Sequence, residues 1–176
     1  MPFGQPYNSD KKVNKLFEFY QRYFDHFKPK GKVLEIGVHN GGSLEWLRDQ
    51  GIFDTVVGID INEKCGRPAG CDVHIINQLD RVGLDRLAKH YGGFDVIIDD
   101  GAHVAPETRC AFEALWPWTR SVYFIEDWSV GYGQPQHCHG MLTFVGELIT
   151  QLRALGGTEV YANYNKYHTV FYIKKG

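Results

Sequence analysis

Apolar side chains recur between residues 10 and 27 at Val13, Leu16, Phe17, Tyr20, Tyr23, Phe24 and Phe27, with Lys, Glu, Gln, Arg and Asp between them. That spacing predicts an amphipathic helix over 10–27, with Ser9 or Asp10 placed to cap it. From residue 32 the pattern changes. Short, nearly continuous runs rich in Val and Ile occupy 32–36, 55–60, 72–76, 94–99 and 122–126, interleaved with helical stretches at 42–50, about 80–91 and about 106–116. Strands that do not alternate with polar residues are buried on both sides, which indicates a parallel sheet covered by helices. After a further helix at about 141–155, two last runs, 158–164 and 167–173, are joined by Asn165-Lys166. So tight a link makes an antiparallel hairpin, because a parallel pair needs a long crossover. The expected fold is α/β, a doubly wound sheet, mostly parallel, with a C-terminal antiparallel hairpin.

Composition adds little to this picture but excludes several functions. With 176 residues, 43% of them hydrophobic and 23% charged, the chain is an ordinary globular one. It reads as an N-terminal helical segment, 1–30, that packs on or covers the site of a domain spanning 31–176. Nineteen Lys and Arg against 21 Asp and Glu leave a formal charge of -2 with no basic run, so no nucleic acid is expected as partner. The apolar runs are too short to span a bilayer, so no membrane anchor is expected. The start, MPFGQPYNSDKK, has no apolar core behind a basic head; a cytoplasmic chain is the expectation. Cys65, Cys71, Cys110 and Cys138 form no C-x-x-C pair and read as free thiols. His137-Cys138-His139 does not make a zinc site, since three adjacent residues do not readily wrap a tetrahedral ion. Aromatic side chains outside the core strands favour a homo-oligomer.

In an open parallel sheet the ligand crevice lies beyond the carboxyl ends of the strands. The first strand runs into Glu35-Ile36-Gly37-Val38-His39-Asn40-Gly41-Gly42-Ser43, a glycine-rich turn that opens a helix and leaves backbone free to approach a nucleotide-like ligand. Its G-x-x-x-G-G spacing differs from the G-x-G-x-x-G of dinucleotide enzymes, and Glu35 suits a cationic ligand better than a diphosphate. Asp60 ends the second strand, where a carboxylate can accept from both hydroxyls of a ribose. Adenosine carrying a sulfonium fits both features, although either alone is also ordinary structural punctuation.

The fourth strand ends in Asp99-Asp100-Gly101-Ala102-His103 and the fifth in Glu126-Asp127-Trp128. Neighbouring strands lie about 4.8 Å apart, which would bring four carboxylates and an imidazole to one edge. A hard divalent cation, Mg²⁺ most readily, answers the repulsion among Asp99, Asp100, Glu126 and Asp127. The alternative is that these acids cap helices or pair with Arg109 or Arg120. His103, just ahead of Pro106 and a helix start, is expected to be neutral and placed as a base; the alternative is a hydrogen-bonded loop residue.

Taken together, Ser9-Asp10-Lys11, the L-E-I-G-V-x-x-G-G-S-L run of 34–44, Gly58-Ile59-Asp60, Asn77-Gln78-Leu79-Asp80, Ile98-Asp99-Asp100-Gly101-Ala102-His103 and Ile125-Glu126-Asp127-Trp128 resemble the metal-dependent sugar O-methyltransferases of macrolide and tetracenomycin tailoring. The similarity runs from about residue 9 to 128 and more loosely to the hairpin. It departs from the usual family pattern at Ser9 and Ala102. The resemblance implies a Rossmann-like, class I methyltransferase fold. It implies S-adenosyl-L-methionine held by Glu35, Gly37, Asn40, Gly42, Ser43, Asp60, Ile61, Gln78 and Asp99, with Gln78 near the adenine. It further implies Mg²⁺ among Asp99, Asp100, Glu126 and Asp127, and His103 with Asp100 as the catalytic pair. The expected reaction is methyl transfer to a hydroxyl of a sugar or other small-molecule acceptor, with 129–140 closing over it. Two rivals are a cephalosporin-hydroxylase-like component and a nucleotide-binding module without turnover.

Overall fold

The computed structural model describes residues 7–129, 140–164 and 168–176. Its centre is a seven-stranded sheet built from β1 (Gly31–Ile36), β2 (Phe53–Asp60), β3 (Asp72–Ile75), β4 (Phe94–Asp99), β5 (Thr119–Glu126), β6 (Gly157–Tyr164) and β7 (Thr169–Lys175), in the order β3-β2-β1-β4-β5-β7-β6. The first five strands are parallel, and β7 runs antiparallel to both β5 and β6. The expected architecture is therefore the observed one. The Asn165-Lys166 link falls outside the described residues, as do His137, Cys138 and His139 and nearly all of the expected closing segment.

Two apolar layers sandwich the sheet. On one face α1 (Leu16–Phe27) and α2 (Gly42–Asp49) pack over Val33, Val96, Ile98, Val122 and Phe124. On the other, α3 (Arg81–Tyr91), α4 (Ala105–Leu115) and α5 (Met141–Thr150) cover Leu34, Ile36, Ile97, Tyr123 and Ile125. Successive residues of a strand point to opposite faces, so each apolar run feeds both layers. Each fully buried Leu, Ile or Phe contributes roughly 1.5–3 kcal/mol by leaving water. Asp80 caps α3 by accepting from the Gly83 N–H at 2.9 Å, and Pro106 sits in the first turn of α4, where no N–H is needed.

Two boundaries differ most from the sequence pattern. The expected helix over 10–27 is broken: a 3-10 turn (Asp10–Lys12), capped by Ser9, is separated from α1 by Lys15 in the left-handed region at φ 57°. Val13, expected in the apolar stripe, is 63% exposed. The break lets Lys11 turn into the sheet while α1 keeps its aromatic face on it, which a continuous helix could not do. At the other end, α5 stops at Thr150 instead of near Leu155. Turns take over from there, and the Leu155 carbonyl accepts from Trp116 Nε1 at 2.9 Å. Cys65, Cys71 and Cys110 are free thiols. Among the described residues no helix is long and apolar enough to cross a membrane.

Candidate active site

A cavity of about 630 Å³ opens at the carboxyl ends of β1, β2 and β4, within the size range of small-molecule sites. The turn after β1 forms its floor. Gly37 adopts φ +92°, and a Cβ there would come 2.1 Å from the Asp100 carbonyl oxygen, so only glycine lets the β1 and β4 loops approach this closely. Asp60 organises the same turn: Oδ2 accepts from the Val38 and His39 N–H groups, each at 2.9 Å, and Oδ1 from Asn62 N–H at 2.8 Å. Asp60 still lines the cavity, together with Gly37, Asn40, Gly42, Ser43, Ile61 and Gln78.

The N-terminal segment makes one wall. Asn8, Ser9, Asp10 and Lys11 line the cavity, and a Cβ on Gly42 would meet the Asn8 backbone at 2.5 Å. Ile61 is 67% exposed and Leu79 52%, which leaves apolar surface at the β2 end of the cavity where a flat aromatic base can lie.

At the other end the acids divide by face. Asp99 ends β4 on the side of α3–α5, buried, with Oδ1 accepting from Gln78 Nε2 at 2.7 Å and Oδ2 from the Tyr123 hydroxyl at 3.0 Å. Burial pushes its carboxyl up to about 7 against the pull of Tyr123 and His103. Glu35, Asp100 and Glu126 lie on the side of α1 and α2, gathered round Lys11. The ammonium is 2.5 Å from Asp100 Oδ2, 2.6 Å from Glu126 Oε1 and 3.7 Å from Glu35 Oε1. Burial alone would depress Lys11, but the charges of Asp100, Glu126 and Glu35 outweigh it and hold the ammonium well above its usual range. Tyr20 donates to the same Glu126 oxygen at 2.8 Å. Glu126 is raised by burial and by Asp100 against the pull of Lys11. Glu35 is pushed up to about 7 by burial, although Lys11 and the Ser43 hydroxyl, at 2.5 Å, favour its anion. Glu35 Oε2 is buried with no partner.

Asp100, His103 and Asp127 form a group whose ligand atoms lie within 4.8 Å of one another. His103 Nε2 is 3.6 Å from Asp100 Oδ1 and 4.0 Å from Asp127 Oδ2. All three line the cavity. His103 and Asp127 both take left-handed backbone, φ 54° and 50°, a strain that concentrates at functional sites. Burial raises Asp127, with His103 pulling the other way.

The four acids expected to hold metal are thus divided by the pleat of the strands. Asp99 points to the opposite face, and Glu126 is held by Lys11 and Tyr20; neither lines the cavity, and neither does Glu35. Arg109 pairs instead with Glu147 at 2.6 Å and Arg120 with Asp95 at 3.3 Å, so the arginines do not neutralise the tips. Lys11, the cation at the acidic tips, is the side chain to which sequence reasoning gave no role. Its one signal was charge balance: four strand-end acids required a cation, and a lysine stood in the Ser9-Asp10-Lys11 motif.

No family model matches the chain. It is 32% identical over 190 residues to mycinamicin VI 2''-O-methyltransferase of Micromonospora griseorubida, covering 89% of this chain and 47% of the relative. It is 34% identical over 130 residues to 8-demethyl-8-(2-methoxy-alpha-L-rhamnosyl)-tetracenomycin-C 3'-O-methyltransferase of Streptomyces olivaceus, covering 65% and 33%. The fold superposes on MycE, a methyltransferase of the mycinamycin pathway solved with Mg and SAH, at TM-score 0.72 and 28% identity, over 90% of this chain and 48% of that one. The chain is related to these sugar O-methyltransferases and has the class I methyltransferase fold. It spans about half the length of the first of them and a third of the second.

Proposed function

We propose that the chain is an S-adenosyl-L-methionine-dependent, Mg²⁺-assisted O-methyltransferase acting on a hydroxyl of a sugar or small glycosylated product. The observation that carries this reading is that one cavity joins the glycine-rich turn to Asp100, His103 and Asp127. The residues suit both groups. Gly37, Gly42 and Ser43 line the cavity at the turn, and the buried Oε2 of Glu35 is an unused acceptor next to the first strand end. Two carboxylates, Asp100 and Asp127, open to the cavity beside His103, are a donor pair for a divalent cation that would leave sites for water or acceptor and the imidazole free as a base. The relatives named for 2''- and 3'-O-methylation of glycosides support a sugar hydroxyl as the acceptor.

Gly37, Asn40, Gly42 and Ser43 would hold the methionine end, with Glu35 behind them positioning the Ser43 hydroxyl, Asp60 and Ile61 the ribose and Gln78 the adenine. Asp100 and Asp127 would hold the cation. When bound, the sulfonium donor supplies an electrophilic methyl and the cation a positive charge that favours the ionised acceptor hydroxyl. His103 accepts the hydroxyl proton at Nε2, where the flanking Asp100 and Asp127 carboxylates stabilise the imidazolium. The wall formed by Asn8–Lys11 would exclude water and fix the approach of the acceptor. The decisive experiment incubates the chain with methyl-labelled S-adenosylmethionine and a panel of deoxysugar glycosides, with Mg²⁺ or with EDTA. Label is expected in the acceptor only with Mg²⁺. Binding of SAH without any transfer would overturn the enzymatic reading, and transfer that EDTA leaves unchanged would overturn the metal.

A further inference from the structure

Lys11 is the buried cation of the molecule: no other lysine or arginine among the described residues is buried, and its side chain is 3% exposed. It comes from the N-terminal segment, 89 residues from Asp100 and 115 from Glu126. Asp100 is shared. Its Oδ2 meets the ammonium, while its Oδ1 faces His103 in the open group with Asp127. A divalent cation in that open group would therefore have a fixed positive charge behind it, with one carboxylate between them. A cation that recruited Glu126 would have to take the oxygen that Lys11 Nζ and the Tyr20 hydroxyl now share.

Deepening the metal reading above and resting on it, we propose that Lys11 is a resident counter-cation that competes with the divalent ion for Asp100 and Glu126. The acidic tips then fold and stay closed without metal, and a lysine of the N-terminal segment sets how tightly metal binds. Two buried carboxylates and a partly buried one without a cation would be costly; the ammonium relieves that cost by donating to Asp100 and Glu126 and standing 3.7 Å from Glu35. The same charge repels an incoming cation, so occupancy by metal is gained only against Lys11.

A purely structural role for Lys11 predicts that its loss weakens the site, whereas competition predicts the opposite sign. The test titrates the full chain with Mn²⁺, reading free Mn²⁺ by electron paramagnetic resonance, for wild type, K11M, K11Q and K11R. Thermal unfolding is followed by circular dichroism with and without Mg²⁺. Removing one unit of like charge at such short range is expected to tighten Mn²⁺ binding by roughly tenfold or more in K11M and K11Q. Both variants should melt lower than wild type without metal and gain more from Mg²⁺ than wild type does. K11R, which keeps the charge, should stay near wild type. Mn²⁺ binding in K11M and K11Q no tighter than in wild type would overturn the role of Lys11 alone, and so would failure of Mg²⁺ to restore their fold. Absence of Mn²⁺ binding in wild type and in every variant would overturn the metal reading as well.

Discussion

On one face of the sheet Asp99 sits dry among neutral partners, the Tyr123 hydroxyl and the Gln78 amide. On the other, Glu35, Asp100 and Glu126 converge on the Lys11 ammonium and open toward His103 and Asp127. Adjacent residues of a single motif, Asp99 and Asp100, thus serve different regions. A buried carboxyl with only neutral hydrogen-bond partners answers burial by becoming harder to ionise, and Asp99 is accordingly pushed up to about 7. Burial raises carboxyls on the Lys11 face as well, Glu35 to about 7 and Glu126 with the added push of Asp100, so what sets that face apart is its geometry: a cation among the acids and an opening to the cavity at Asp100, His103 and Asp127. The comparison teaches that the open acidic group adjoins the face covered by α1 and α2, while Asp99 on the other face bears on the following loop through Gln78, whose Oε1 accepts from the Ala102 N–H.

Variants that separate the faces sharpen this view, and the largest effect is expected in turnover. Asp100→Asn or His103→Ala should lower methyl transfer by about a thousandfold while SAH affinity, measured by calorimetry, changes only a few-fold. Equal losses in binding and turnover would break the assignment. Next, Glu126→Ala removes one of the Lys11 partners and should cost roughly 4 kcal/mol in denaturant unfolding without metal, because it leaves buried charge poorly matched.

The pH dependence of stability reports on Glu35. Its folded pKa, about 7, lies above the unfolded value of about 4.5, so between those limits the unfolded chain loses its proton first. Stability from this group is full below pH ~4.5, falls as pH rises toward 7 and is flat above, by at most about 3 kcal/mol. Glu35→Gln should remove this group's share of the slope in urea unfolding repeated from pH 4.5 to 8 and leave that of Asp99, whose carboxyl is also raised to about 7; an unchanged slope assigns it elsewhere. The smallest effect belongs to the dry face. Tyr123→Phe loses one hydrogen bond to Asp99 and should cost about 1 kcal/mol with turnover nearly intact.

Much of the fold was legible because its elements are locally encoded. The Val and Ile runs of β1, β2, β4 and β5 carry the signal of strands buried on both faces, and Asp80 and Pro106 mark the starts of α3 and α4 where the structure has them. The break at Lys15 was not legible, since apolar spacing is the same on either side of a single left-handed residue. Within the candidate site, the glycine turn and the D-D-G-A-H and E-D strand ends are loops that border the cavity. They could not say which carboxyl faces which layer, because that depends on where each strand ends relative to its neighbour: Asp99 pairs with Ile125, one residue short of Glu126. Lys11 was beyond reach for a related reason. Its partners are set by tertiary packing across most of the chain, and nothing near it in sequence is acidic except Asp10.

The central claim is that one cavity holds the methyl donor beside a cation on the Lys11 face. A crystal structure of the chain with SAH and Mn²⁺, with anomalous scattering used to locate the metal, tests it most directly. The account predicts SAH over the turn at Gly37 and an anomalous peak between Asp100 and Asp127 next to His103. A peak beside Asp99 on the opposite face, or a cavity that excludes SAH, would contradict it.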